Sequence, residues 1–124
     1  MIEPLAGFGD NVVAVECRGH ITRADYDRIL IPLVEAKLAA HEKLRLYYLA
    51  GPQFEGIDPA AMLADARIGL AHFSRWERAA VVTDIAWLRV ATQAFGFLMP
   101  CPVKCFPIAQ EPDARRWIAE GGST

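Results

Sequence analysis

Short β-type runs and longer helix-type runs alternate along the whole 124-residue chain, and this alternation leaves few folds open. A strand followed by a helix and then another strand closes most simply as a right-handed crossover, so repeated units of this kind build a mainly parallel sheet. The expectation is a small open α/β domain of about five strands and about four helices, in the order β-β-α-β-α-β-α-β-α. The length suits one domain, residues 1–124.

The elements follow from the hydrophobic period. Asn11 to Gly19 alternates, with Val13, Val15 and Cys17 on one face and Ala14, Glu16 and Arg18 on the other, as a strand with one partly wet face does. Ile2 to Leu5 can return against it as an antiparallel edge strand through the turn-prone Gly7-Phe8-Gly9-Asp10. Thr22, with Asp25 three positions on, opens a first helix that reaches His41 and carries Tyr26, Ile29, Leu30, Leu33, Lys37 and Ala40 at helical spacing. Pro32 lies inside it, takes the donor away from the Arg28 carbonyl and predicts a kink.

Leu44 to Ala50 reads as a strand, Gly51 to Asp58 as a loop, and Asp58 before Pro59 as the cap of a second helix that ends at His72. Met62, Ala66, Gly69 and Leu70 form its stripe. Ala79 to Thr83 is a short buried strand, and Asp84 caps a third helix that Pro100-Cys101-Pro102 stops near Met99. Val103 to Ile108 completes the sheet. Glu111 to Glu120 forms the last helix, with Ala114, Trp117 and Ile118 inward, Glu111 facing Arg115, and Gly121 as C-cap.

The third helix has more apolar surface than one contact needs. Trp87, Val90, Ala91, Ala94 and Leu98 form one stripe, expected to pack on the sheet, while Leu88, Phe95 and Met99 form a second beside Phe97. The second stripe must cover a pocket, a subunit contact or a membrane surface. A membrane span is excluded for this stretch, because Arg89, Thr92, Gln93, Gly96, Pro100 and Pro102 interrupt it.

Composition removes several function classes. Hydrophobic residues make up 53% and charged residues 23%, which is globular rather than disordered. Lys plus Arg is 13 against 15 for Asp plus Glu, so the basic excess that nucleic-acid binding uses is absent. Three cysteines are too few and odd in number for a secreted disulfide framework, and the first residues lack a basic segment followed by an apolar run, so the expected compartment is the cytoplasm. Cys101 and Cys105, if extended between them, lie roughly 13 Å apart, beyond the roughly 7 Å reach of a disulfide. His20, His41 and His72 are scattered singly, which speaks against a metal site.

No phosphate-cradling glycine loop or nucleophile elbow is present, so no cofactor and no catalytic residue is expected. Asp58 and Asp84 could converge at one sheet edge for acid–base work, but helix capping already accounts for both. The candidate ligand residues are Phe54 and Ile57 after the second parallel strand, and Trp87, Phe95 and Met99 of the third helix. His20, at the end of the first long strand, and Arg67 and Arg75, grouped with His72 and Arg78 around Trp76, are candidates for a polar headgroup. In open α/β sheets such sites lie beyond the carboxyl ends of the strands.

A set of short motifs then appears in order: Gly19-x-Ile21-Thr22 before a helix containing Asp25-Tyr26 and Pro32, Leu44-Arg45-Leu46, Phe54 with Gly56, and Asp65 followed by His72-Phe73. Glu77-Arg78-x-Ala80-Val81-Val82-x-Asp84-x-x-Trp87, Phe106 and Ala114-x-x-Trp117-Ile118 continue the series. In these the chain resembles the SpoIIAA-like proteins, small domains related to the STAS fold and to the lipid-binding Sec14 fold. The resemblance implies a STAS-like sheet, and dimers with an apolar cavity and membrane association. The phosphoswitch of anti-sigma-factor antagonists does not carry over, because residues 50–58 contain no hydroxyl side chain. The expected function is a non-enzymatic binding module for a hydrophobic or lipid-like ligand or a membrane surface. The alternative is a protein-interaction regulator that uses the same apolar surface as a homodimer or partner face.

Overall fold

The β-branched and aromatic runs pair in chain order. In a computed structural model that describes residues 1–120, β1 (Ile2–Pro4), β2 (Val12–Ile21), β3 (Leu44–Ile57), β4 (Trp76–Thr83) and β5 (Val103–Phe106) form one five-stranded sheet. β1 is antiparallel to β2, with Ile2 opposite Cys17 and Pro4 opposite Val15, and the other pairs are parallel. Pro4 has no donor to offer a ladder, and an edge strand needs none on its outer side.

β3 departs most from the sequence expectation. It runs for 14 residues, through the segment read as a loop. Cys17 faces Ala50 and the ladder resumes at Gly19 with Phe54, which leaves residues 51–53 outside it. Gly19 takes a φ of +64° at this irregularity, and Pro52 sits where no ladder donor is required. Gly51-Pro52 is therefore a bulge within a strand rather than its end. β4 begins at Trp76, earlier than Ala79. β5 stops at Phe106, because Ile108 enters a 3-10 turn and gives its N–H to Asp84 Oδ1 at 3.0 Å.

The first helical run, α1, has three contiguous parts: Arg23–Asp25, a π-helical turn over Tyr26–Leu30, and α-helical Ile31–Ala40. The capping box forms as expected, with Thr22 Oγ1 accepting from the Asp25 N–H and Asp25 Oδ2 from the Thr22 N–H. The π turn widens the helix just before Pro32, where its ring would meet the preceding turn. Tyr26, Leu30 and Val34 turn inward, whereas Lys37 reaches out to the Asp10 carbonyl at 2.6 Å.

Three further helices follow: α2 (Pro59–Ala71), α3 (Ala86–Gly96) and α4 (Glu111–Ala119). Neither Asp58 nor Asp84 caps a helix with its side chain. Asp58 pairs with His20, and the chain enters α3 through Ile85, so Asp84 is free to hold Ile108. α3 is shorter than expected, and Phe97, Leu98 and Met99 continue as single turns bonded to Ala94, Phe95 and Gly96. The Gly121 cap lies outside the described residues.

α1, α2 and α3 cover one sheet face, where Val13, Val15, Leu44, Tyr48 and Val81 meet Tyr26, Leu30, Ala61 and Ala64. α4 covers the other, with Ala114 and Ile118 against Val12, Ala14, Tyr47, Ala80 and Val82.

Candidate ligand-binding cavity

The strand order runs without reversal, so the topology supplies no switch point at the carboxyl edge of the sheet. The space opens elsewhere. A cavity of about 280 Å³ lies between the sheet and helices α1, α2 and α3. Leu46, Tyr48, Ala79, Val81 and Val103 form its floor, one alternating face of three strands. Leu88, Ala91, Phe95 and Met99 close it from the α3 side.

The second stripe of α3 turns inward, and the first divides, with Trp87 and Ala91 at the cavity and the rest directed outward. Trp87, Val90 and Leu98 of the first stripe are 46%, 65% and 62% exposed, and Phe97 beyond the helix end is 91% exposed. The rotation is set by close packing at α2. A β-carbon on Gly69 would stand 2.8 Å from Phe95 Cζ, so the absent side chain of Gly69 makes the room that Phe95 occupies.

Few polar groups break the apolar lining. Tyr26 Oη donates to Asp65 Oδ1 at 2.9 Å and lies 3.3 Å from Tyr48 Oη. Burial pushes the Asp65 carboxyl above its ordinary value, and the Tyr26 hydrogen bond opposes this. Burial also pushes both phenols up, and raises the Cys17 thiol beside Tyr48 to about 12, so neither tyrosine nor Cys17 ionises near neutral pH. Trp76 is 7% exposed, and its buried Nε1 finds no acceptor among the described residues.

The candidate residues divide. Ile57, Trp87, Phe95 and Met99 line the cavity, whereas Phe54 does not line it and packs with its ring 6.2 Å from that of Trp87. His20 lies at the carboxyl end of β2 in an exposed pair with Asp58. Arg67 borders a separate shallow groove with Arg23, Glu35 and His72. Arg75 is committed at the opposite, amino end of the sheet, where it donates to the carbonyls of Leu38, His41 and Glu42. Arg78 lies on the α4 face, bonded to the Trp117 carbonyl and 5.0 Å from that ring. The expected basic cluster around Trp76 therefore does not form, because Trp76 faces the cavity, Arg75 and Arg78 are spent on backbone carbonyls, and Arg67 borders a different groove.

Tyr26, Tyr48, Asp65 and Trp76 were not among the candidates. The available signal was Asp65 itself, a carboxyl placed between Met62 and Gly69 on an otherwise apolar helical stripe. Among the described residues no group of three or more His, Cys, Asp or Glu side chains could hold a metal ion, and no helix is long and apolar enough to cross a membrane.

The SpoIIAA-like family model matches residues 12–119, nearly the full length of the sheet and its helices. The chain belongs to the SpoIIAA-like family. Among solved structures this SpoIIAA-like chain is similar to the 2.25 Å crystal structure of an uncharacterized DUF3478-family protein with a SpoIIAA-like fold from Shewanella loihica PV-4. The two are 25% identical over 85% of this chain and 81% of that one, with a TM-score of 0.64. No curated protein matches the chain. The mixed five-stranded sheet and its helices are those of the SpoIIAA-like, STAS-related α/β fold.

Proposed function

We propose that this SpoIIAA-like protein is a non-enzymatic binding module that holds a hydrophobic or lipid-like small molecule between the sheet and helices α1–α3. The SpoIIAA-like fold suggests a regulatory or binding module. The observation that carries the finer reading is the cavity of about 280 Å³, lined among the described residues by apolar and aromatic side chains and one charged residue. That is close to the low end of small-molecule sites, roughly 300 to 1,000 Å³, and suits a single short chain or ring system. Free thiols at Cys17, Cys101 and Cys105 favour a reducing compartment such as the cytoplasm.

Native mass spectrometry of the purified protein is the direct test, with a retained small-molecule mass as the expected result. Replacing Phe95 and Met99 together by serine is expected to lower the retained fraction at least tenfold while leaving the far-UV CD spectrum intact. Unchanged retention in that variant would remove the cavity as the site.

A second reading is favoured by the outer surface of the same helices. Met62, Leu63 and Leu70 of α2, Val90 of α3, and Phe73, Phe97 and Leu98 beside them are all large, apolar and exposed. Exposed apolar side chains of this kind suit a homodimer, a protein partner or a membrane surface. A ligand-free dimer in the same spectra would move the assignment to an interaction module.

A further inference from the structure

The cavity lining has a one-sided chemistry. Among the described residues five aromatic side chains line it, Tyr26, Tyr48, Trp76, Trp87 and Phe95, and Asp65 is the one charged residue, with no Lys, Arg or His. Among the described residues no cationic side chain pairs with Asp65, whose carboxyl is held by the Tyr26 hydroxyl at 2.9 Å. A half-buried carboxylate facing an apolar cavity gains from a counter-charge, and one phenol supplies none. The faces of tyrosine and tryptophan rings carry negative charge density and attract a cation within about 6 Å of the ring centre.

We propose that the cavity selects a small amphipathic amine, its ammonium group held by Asp65 among the aromatic rings and its apolar body lying on the sheet face under α3. This rests on the reading of the cavity as the ligand site and adds the class of ligand. A carboxylate or phosphate head would meet a like charge and no base. A neutral alcohol would gain a hydrogen bond at Asp65 without the charge attraction. At about 30 Å³ per small group, the space holds roughly ten non-hydrogen atoms, the size of an octyl chain with its head.

The test is a titration of the purified protein with octylamine, 1-octanol and octanoate, followed by calorimetry and by the fluorescence of the cavity tryptophans. Octylamine is expected to bind at least tenfold more tightly than 1-octanol, with octanoate weakest. In Asp65→Asn the amine is expected to fall to the level of the alcohol, while 1-octanol binding is kept and so reports that the cavity is still formed. Equal affinity for amine and alcohol in the parent protein, or an amine preference that survives in Asp65→Asn, overturns the head-group assignment and leaves the cavity reading standing. Failure of all three probes to bind overturns both.

Discussion

On the α4 face, Tyr47 donates to Glu111 at 2.7 Å and Arg45 to the carbonyls of Ile118 and Glu120 at 2.8 and 2.7 Å. On the cavity face, one residue further along the same strand, Tyr48 meets Tyr26 at 3.3 Å and Asp65 is held by a single phenol. Phe8 closes over Tyr47, ring centres 4.6 Å apart, and Arg115 stacks over both rings at 4.8 and 5.7 Å. Among the described residues no aromatic ring or cation stacks on Tyr48 in this way. Strand alternation alone separates the two tyrosines, but one face uses its polar groups to pin a helix and the other leaves them on an open cavity. Polar groups fully engaged within the chain serve stability, whereas under-used ones beside a cavity are where a ligand can be recognised.

The sharpest way to break this comparison is at the sealed face. Ile118 is 0% exposed, and Ile118→Ala is expected to cost about 2 to 5 kcal/mol, read as a lowered midpoint in urea with an unchanged slope. A smaller loss than an equivalent truncation at the cavity would show that the α4 face is not the tighter one. The opposite operation applies across the sheet: Ala91→Leu fills cavity space and is expected to stabilise by about 0.5 to 2 kcal/mol while reducing ligand uptake. Destabilisation by that change would mean that the space is already used by native packing.

The smallest expected effect concerns Asp65. Burial holds its folded pKa above the ordinary 3.8 of an unfolded aspartate. Between those two values the folded protein keeps a proton that the unfolded chain has lost, so this group lowers stability progressively as pH rises through the window. Asparagine has no such titration and can still accept from Tyr26. Asp65→Asn is therefore expected to melt a few degrees above the parent at neutral pH, and the gap should close below about pH 4. A constant gap between pH 3 and pH 7 would show that the carboxyl is solvated as fully in the fold as in the unfolded chain.

Much of this architecture is legible in local patterns. The alternation of Val13, Val15 and Cys17 against Ala14, Glu16 and Arg18 assigns β2, and Thr22 with Asp25 marks the start of α1 because a capping box needs only residues three apart. β3 is legible only as far as Ala50. Beyond it Gly51 and Pro52 carry the local signature of a turn, and only the neighbouring bulge at Gly19 lets the strand continue to Ile57. Asp58 shows the same limit, since its capping propensity is local but His20 reaches it across 38 residues.

The cavity is divided in the same way. An excess of apolar residues on α3 is visible in the sequence and points to Trp87, Phe95 and Met99, while Ile57 is legible from the apolar side chains in the segment that follows Ala50. How the two stripes divide between cavity and solvent is not legible there, because that depends on the fit of Phe95 against Gly69 on another helix. The basic candidates failed for a related reason. Arg75 and Arg78 are near Trp76 in the chain, but one is drawn to carbonyls at the amino edge of the sheet and the other to the α4 face.

The element order, the mainly parallel sheet and the apolar surplus on α3 follow from the sequence alone, since hydrophobic period, caps and breakers act within a few residues. The tertiary structure alone decided that Tyr26, Tyr48, Asp65 and Trp76 share one cavity. Their meeting depends on the register of β3 with β4 and on the docking of α1 and α2, contacts between segments tens of residues apart for which no local pattern is written.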